Sequence, residues 1–511
     1  MNTVKLSIKG AELMKVLFLD PIHKVWEFFR GLTANPALIY LAAVARRDFN
    51  VKVYDAYAES SRPWNKTAEY LEKERPDVIC IPGSLPSFWY DVLNCARLIR
   101  EILPDAKIMT GGYISNQLWR EGLEGGLLDF IVIGEGEVTM MELLKAINTG
   151  VTDFSTINGL AYLKDGKPFK TAEREFIKDL DTLPMPAYDL FPMHRYSLAP
   201  FGGNIGFTAT YSRGCQGRCK FCSETLLWRH CWRGHSAEYM IEALSTLRYK
   251  YNKRVFYIGD DDFLHDQERT EKFIGLVLKN KLDIKMWIQT TCRNVVKNAA
   301  LLDGLKKAGV YQIMVGIETP KPKGLKVLNK PQDFDLVMRA LETLKPHEFI
   351  IMGMMMWGTP YDTMQDLVEA LEFLNEHCDI IGPDAVTPWP GTPYYDECEK
   401  LGAIEVRDLT KYDMTNCITR TAELSAADAD YYYKKTVGRH LMFNKKFLGN
   451  YLFSKKPLYR TYVNMFVKMG WSFFTMKPWV QKNYQEFDEF YREFITKRAV
   501  YQMQKTGVMA R

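Results

Sequence analysis

Nowhere in the 511-residue chain do roughly 18–20 consecutive residues stay apolar, the length that a membrane-spanning helix requires. Met1 to Met14 contains no apolar core of the kind a secretory leader carries, and the first strongly apolar run, Val16-Leu17-Phe18-Leu19, has only strand length. Internal repeats and low-complexity tracts are also missing. Paired cysteines are scarce: of ten, three crowd into one short loop and the rest are scattered, which argues against a disulfide framework and for a reducing, cytoplasmic setting.

Against those absences stands an ordinary globular composition, 47% apolar and 25% charged, in a chain long enough for two or three domains, each with its own core. The net charge of +5 conceals an asymmetry. Residues 434–511 contain 16 Lys or Arg and 4 Asp or Glu, a surplus of +12, so the preceding 433 residues sum to −7. The same tail mixes cations with large rings, in Lys455-Lys456-Pro457-Leu458-Tyr459-Arg460 and in Phe466-Val467-Lys468-Met469-Gly470-Trp471-Ser472-Phe473-Phe474. Such a stretch suits the headgroup boundary of an anionic bilayer, which would place the protein peripherally on the inner face of the membrane. An amphipathic helix packed on the body of the protein is the other reading. Single-stranded nucleic acid is disfavoured beside both.

Residues 14–146 alternate strands with helices. Lys15–Leu19, Val51–Tyr54, Asp77–Ile81, Lys107–Gly112 and Asp129–Ile133 are strand runs, and Ala37–Ala45, Thr67–Glu74 and Asp91–Ile102 are helical between them. This pattern predicts an α/β, Rossmann-like domain with a parallel sheet covered on both faces. Ligands in such sheets bind beyond the carboxyl ends of the strands, where Gly83, Gly111, Gly112, Gly134 and Gly136 fall. Residues 147–205 read as a connector with a small hairpin turning at Asp165-Gly166. From 206 to 395 the alternation returns, with strands at Phe207–Tyr211, Arg254–Ile258, Lys285–Thr290, Gln312–Gly316, Phe349–Met354 and Asp384–Thr387, enough for a partial (β/α)6 barrel whose carboxyl strand ends face the active site. Residues 396–511 read as mainly helical and include Tyr431-Tyr432-Tyr433.

The loop Ser212-Arg213-Gly214-Cys215-Gln216-Gly217-Arg218-Cys219-Lys220-Phe221-Cys222 spaces its cysteines C-x3-C-x2-C. Three thiolates in one short loop can close on an iron–sulfur cluster and leave one iron open. Zinc is the alternative, with Cys231, His230 or His235 as a fourth ligand. At later strand ends stand Gly259-Asp260-Asp261-Asp262, Arg293, Glu318 and the run Met354-Met355-Met356-Trp357-Gly358, whose sulfur and indole side chains would line an apolar pocket. On their own these are, in turn, a solvated turn or helix cap, a surface ion pair, a helix cap and a piece of core.

The cysteine loop resembles the signature of the radical S-adenosylmethionine (SAM) superfamily, whose [4Fe–4S] cluster offers its unique iron to SAM. That resemblance assigns the metal to Cys215, Cys219 and Cys222, places Phe221 near the adenine, Gly259, Asp260 or Asp261 near the SAM amino group, and Arg293 and Glu318 near its carboxylate or ribose. The first domain resembles the cobalamin-binding domain of many such enzymes, through Asp20-Pro21, Gly111-Gly112 and Ile133-Gly134-Glu135-Gly136-Glu137; Gly83, Gly111, Gly112, Gly134 and Glu135 are then expected at the cofactor. No D-x-H-x-x-G sequence is present, so the resemblance implies a cobalt without a lower histidine, and His23 is read as a loop histidine.

The segments Thr225–Arg233, Thr387–Pro393 and Leu409–Asp413 resemble the branch of cobalamin-type radical SAM enzymes that includes the anaerobic magnesium-protoporphyrin IX monomethyl ester cyclase. That likeness implies reductive cleavage of SAM to a 5′-deoxyadenosyl radical, fed by an external donor such as flavodoxin or ferredoxin. It further implies modification of an unactivated carbon in a large hydrophobic substrate, a tetrapyrrole or lipid. Oxidative cyclisation leads, with C-methylation or hopanoid-type lipid modification as the alternative. A tRNA-modifying methylthiotransferase would want a second cysteine triplet, and only Cys80 and Cys95 occur in the amino-terminal half. A non-catalytic cobalamin carrier is the remaining reading.

Overall fold

The computed structural model describes residues 13–21, 34–59, 63–196, 206–443, 449 and 487–495. His23 and the basic-aromatic stretch after residue 449 lie outside the described residues.

The first domain is built on a seven-stranded sheet. Strands β1 (Lys15–Asp20), β2 (Asn50–Asp55), β3 (Val78–Pro82), β4 (Lys107–Gly111) and β5 (Phe130–Val132) run parallel in the order β2-β1-β3-β4-β5. The apolar run Val78-Ile79-Cys80-Ile81 is buried from end to end, as a strand covered on both faces must be. The sheet continues beyond the expected boundary at 146. The hairpin β6 (Leu160–Lys164) and β7 (Lys167–Lys170) adds antiparallel to β5, turning at Asp165 and Gly166, which both take positive φ, 51° and 74°. That two-residue turn has the hand that lets strands pair directly, so the connector closes the edge of the sheet it follows.

A second sheet forms the open half-barrel: β8 (Gly206–Ala209), β11 (Val255–Ile258), β12 (Lys285–Thr291), β13 (Val310–Glu318), β14 (Ile350–Trp357) and β15 (Ile380–Ala385), all parallel in that spatial order. Between β8 and β11 lies a short antiparallel pair, β9 (Ser212–Arg213) with β10 (Arg233–Gly234). The sixth barrel strand starts at Ile380, four residues before the start expected from sequence. Pro383 within it obscured the strand, yet β15 is an edge strand, where a missing N–H is tolerated.

Two glycines fix which way the last strands face. A Cβ on Gly353 would lie 2.6 Å from Leu374 Cδ2 and 2.7 Å from Cys378 Sγ, on the helical jacket; one on Gly382 would lie 2.3 Å from Met354 Sδ, inside. Strand alternation then points Met352, Met354 and Met356 into the barrel together with Asp384. Trp357 faces outward, contrary to the pocket-lining role expected for its indole. It stacks parallel on Tyr433 of the helix Ala426–Phe443 at 5.9 Å, and its Nε1 donates to Thr363 O at 2.9 Å. Further along the chain, Phe487 is buried edge-on against Trp64, 4.5 Å away, in the core of the first domain. The described end of the chain therefore packs on the domain that begins it.

Gly112 takes φ +106°, and a Cβ there would stand 2.8 Å from Gly83 O. Gly112→Ala should lower stability by about 1–3 kcal/mol through forced positive φ and that clash, read as a drop in the denaturation midpoint. An unchanged midpoint would refute the constraint.

Candidate functional site

The cysteine loop leaves β9 and is clamped from below. Lys220 N donates to Leu328 O (3.2 Å), Asn329 Nδ2 to Arg218 O (2.7 Å) and Tyr394 N to Lys220 O (3.0 Å), while Thr225 Oγ1 donates to Cys222 O at 2.9 Å. A Cβ at Gly217 would fall 3.3 Å from Cys215 Sγ and 3.8 Å from Cys219 Sγ, so both sulfurs turn to the same side of the loop, where any larger residue would intrude. The Gly217 amide donates to Cys215 Sγ at 3.3 Å. Burial pushes the Cys215 thiol up to about 11 and raises Cys219 and Cys222 as well, with the Lys330 ammonium pulling Cys215 and Cys219 the other way. Cys215 and Cys219 thus offer two sulfurs on one side of a glycine-opened loop; Cys222 is the third soft donor a [4Fe–4S] cluster would need, although no three metal-ligating side chains are gathered into one site among the described residues. The side chains proposed for zinc lead elsewhere. His230 Nδ1 pairs with Gly217 O (2.8 Å), Cys231 is exposed, and His235 is buried with its Nδ1 3.1 Å from Asp181, stacked on Tyr239.

The carboxyl ends of the two sheets face each other across a cavity of about 360 Å³. From the first domain come Gly111, Gly112, Gly134, Glu135, Met109 and Tyr113; from the barrel come Arg213, Glu224, Trp228, Gly259, Asp261 and Trp389. Two of its lining groups, Ser212 Oγ and Trp389 Nε1, are buried polar atoms without a hydrogen-bond partner. Orphaned donors of this kind suit a ligand whose rim carries amide carbonyls, as the corrin of cobalamin does. The chemistry of the wall therefore fits that cofactor.

The residues predicted from sequence divide among several roles. Gly111, Gly112, Gly134 and Gly259 line the cavity, and Gly83 lies just behind, its N donating to Gly111 O at 2.7 Å. Asp261 also lines it, accepts from Gly214 N at 3.1 Å, and is held well above the usual carboxylate range by burial and then by Glu224. Asp260 points back into the structure, taking Tyr211 N at 2.6 Å and Arg269 Nη2 at 3.3 Å. Phe221 packs against a small apolar cluster that includes Leu328, Val386 and Tyr394. Arg293 is exposed and donates to Pro331 O at 3.1 Å. Glu318 ends β13 with φ +64° at a register shift and pairs with the Lys330 ammonium at 2.6 Å. Glu135 is buried and accepts from Arg213, Arg233 and Ile177 N.

Several residues of the site carried no sequence signal. Glu224 is held above its ordinary range by burial, lies in the cavity and accepts from Trp228 Nε1 at 2.7 Å. Tyr113 reaches across from the first domain to Pro390 O at 2.7 Å. Lys330 sits beside both Glu318 and Cys219. Asp384 faces the barrel interior, and none of the side-chain hydrogen bonds or ion pairs among the described residues reaches its carboxylate. The sequence alone puts Asp384 at the start of its strand, so its place near the carboxyl end became visible only when the strand proved to begin at Ile380.

Residues 210–374 match the radical SAM superfamily and residues 28–144 the B12 binding domain. An uncharacterised methyltransferase of Pyrococcus horikoshii is 30% identical over 391 residues, 75% of this chain and 83% of its own length. The anaerobic magnesium-protoporphyrin IX monomethyl ester cyclase of Rubrivivax gelatinosus is 25% identical over 472 residues, 89% of this chain and 83% of its own. Among solved structures, the cobalamin-dependent S-adenosylmethionine radical enzyme OxsB with aqua-cobalamin and S-adenosylmethionine bound shares the fold, with a TM-score of 0.71 at 16% identity over 98% of this chain and 82% of that one.

Cys219→Ala should abolish SAM cleavage and lower the iron bound after anaerobic reconstitution; full iron content with 5′-deoxyadenosine still formed would refute the ligand set. A second test concerns Asp384, whose carboxyl burial raises to about 8. Its unfolded value is near 4, so the unfolded chain loses the proton first, and the stability of the neutral acid, full below pH ~4, is lost as pH rises towards 8. Asp384→Asn removes that titration. The variant should gain stability relative to the native chain between pH ~4 and 8, and parallel stability curves would disprove the assignment.

Proposed function

The chain belongs to the B12-binding radical SAM family, enzymes that depend on a [4Fe–4S] cluster, SAM and cobalamin, and on that premise we propose that it transfers a methyl group to an unactivated carbon of a large apolar substrate. The observation that carries this reading is the shared cavity, into which the strand ends of the cofactor domain and the first residues of the cysteine loop both open. When bound, the cofactors supply one-electron and methyl-transfer chemistry, and the protein orients them and keeps water out. Leu38, Leu41, Leu85, Met140 and Leu227 make the apolar part of the wall, and the inward methionines of β14 extend an apolar surface into the barrel. Both favour a substrate that is mostly hydrocarbon or flat ring. The methyltransferase relative at 30% identity supports methyl transfer over ring closure. Oxidative cyclisation of a tetrapyrrole is the second reading, favoured by the longer span, 89% of the chain, over which the cyclase aligns. An external one-electron donor, flavodoxin or ferredoxin, and docking of the cationic tail on an anionic bilayer belong to the same proposal.

Protein loaded with cluster and cobalamin, reduced, and given methyl-deuterated SAM with the lipid and pigment extract of its cells separates the two. Methyl transfer should place the label in an apolar product and release S-adenosylhomocysteine alongside 5′-deoxyadenosine. Oxidative cyclisation would form 5′-deoxyadenosine with no labelled product and no S-adenosylhomocysteine, and that outcome would overturn the methyltransferase reading.

A further inference from the structure

Glu135 was expected to touch the cofactor, yet both of its oxygens are engaged by protein. Oε1 accepts from Arg213 Nη1 at 2.7 Å and from Arg233 Nη1 at 2.8 Å, and Oε2 accepts from Ile177 N at 2.7 Å. The other arm of the Arg213 fork reaches Glu137 Oε1 at 2.5 Å. Arg233 stands opposite Arg213 in the β9–β10 ladder and also donates to Ile177 O at 2.7 Å. Two carboxylates and two guanidiniums thus neutralise one another, with side-chain exposures of only 3% and 6% for the acids and 14% and 13% for the arginines.

The location of the lattice gives it meaning. Glu135 and Glu137 begin the helix Gly136–Asn148, directly after β5, at the rim of the cofactor cavity. Arg213 is separated from Cys215 by Gly214 alone, and that residue is rigid. It takes φ +84°, a Cβ would lie 2.1 Å from Cys231 O, and its N–H is held by Asp261. A shift of the Arg213 backbone is therefore passed on to Cys215, and the guanidinium's grip on the two carboxylates is what holds that backbone in place. A planar fork that grips two carboxylates fixes direction as well as distance, which a lysine point charge does not.

We propose that Arg213 is a positioning residue that sets the spacing and mutual orientation of the cobalamin site and the iron–sulfur site, by clasping Glu135 and Glu137 from the residue before the cysteine loop. This role rests on the two-cofactor reading above. It leaves the cysteines as the cluster ligands and assigns Glu135 to the joint between domains.

Anaerobically loaded wild type, Arg213→Lys and Glu137→Gln are compared for iron and cobalamin content, and for the EPR spin–spin coupling between reduced cluster and cob(II)alamin. Both variants should keep their cofactors. The coupling should broaden, more in Arg213→Lys than in Glu137→Gln, and 5′-deoxyadenosine formed per labelled product should rise several-fold. A general loss of stability would shed cofactors without this pattern. Wild-type coupling and wild-type product ratio in Arg213→Lys overturn the proposal, as does loss of cobalamin from both variants with the cluster intact, which would make the lattice a clasp on the cofactor. Should Arg213→Lys fail to fold, Glu137→Gln carries the same two readouts. A wild-type protein that takes up the cluster but never cobalamin would sink the functional reading itself, a distinguishable failure.

Discussion

Four charges largely withdrawn from water, Glu135 and Glu137 just beyond the carboxyl end of β5 and Arg213 and Arg233 in the β9–β10 pair beside the cysteine loop, join the two halves of the molecule. Each charge alone would cost several kcal/mol to bury, so the group is tolerable only when complete. Completion favours one relative placement of the domains, because Glu135 Oε1 takes both guanidiniums and Glu137 Oε1 takes the other arm of Arg213, although Arg233 Nε and Nη2 have no partner among the described residues. Tyr40 donating to Thr210 O at 2.9 Å and Tyr113 donating to Pro390 O at 2.7 Å reinforce that placement on either side. The shared cavity is a consequence. Two parallel α/β sheets each direct their carboxyl strand ends toward ligand space, and locking them face to face merges two ordinary binding positions into one chamber.

Around the cysteine loop the protein manages charge by pairing or by neutralisation. Glu318 and Lys330 form a closed pair next to Cys219, so the nearby cation brings its own carboxylate partner. Asp261 and Glu224 take the other route, each held up by burial and, for Asp261, by its neighbour. A poorly solvated wall with few net charges strengthens every remaining electrostatic contact, which suits chemistry that must proceed away from water.

Much of this was legible in the chain. The C-x3-C-x2-C spacing is local, so three thiolates in one short loop could be read as a cluster site from the chain alone. The parallel strands announced themselves as short apolar runs, and the hairpin at Asp165-Gly166 by its turn residues. What misled was local context. Pro383 hid the start of β15, and Trp357 was grouped with its methionine neighbours although alternation sends it outward onto Tyr433. Glu135 stood in a strand-end glycine segment, a cofactor position by pattern, and its two arginine partners lay 78 and 98 residues away.

Local patterns in the chain were enough for the cofactor class and the two-domain α/β plan, because metal ligands, strand periodicity and turn glycines all act over a few residues. Long-range packing alone assigned some acids to ligand space and others to the frame. A carboxylate near a strand end looks the same in sequence whether a guanidinium from another domain meets it, as at Glu135, or nothing among the described residues does, as at Asp384. That distinction depends on which groups long-range packing brings within hydrogen-bond reach, and no spacing along the chain encodes it.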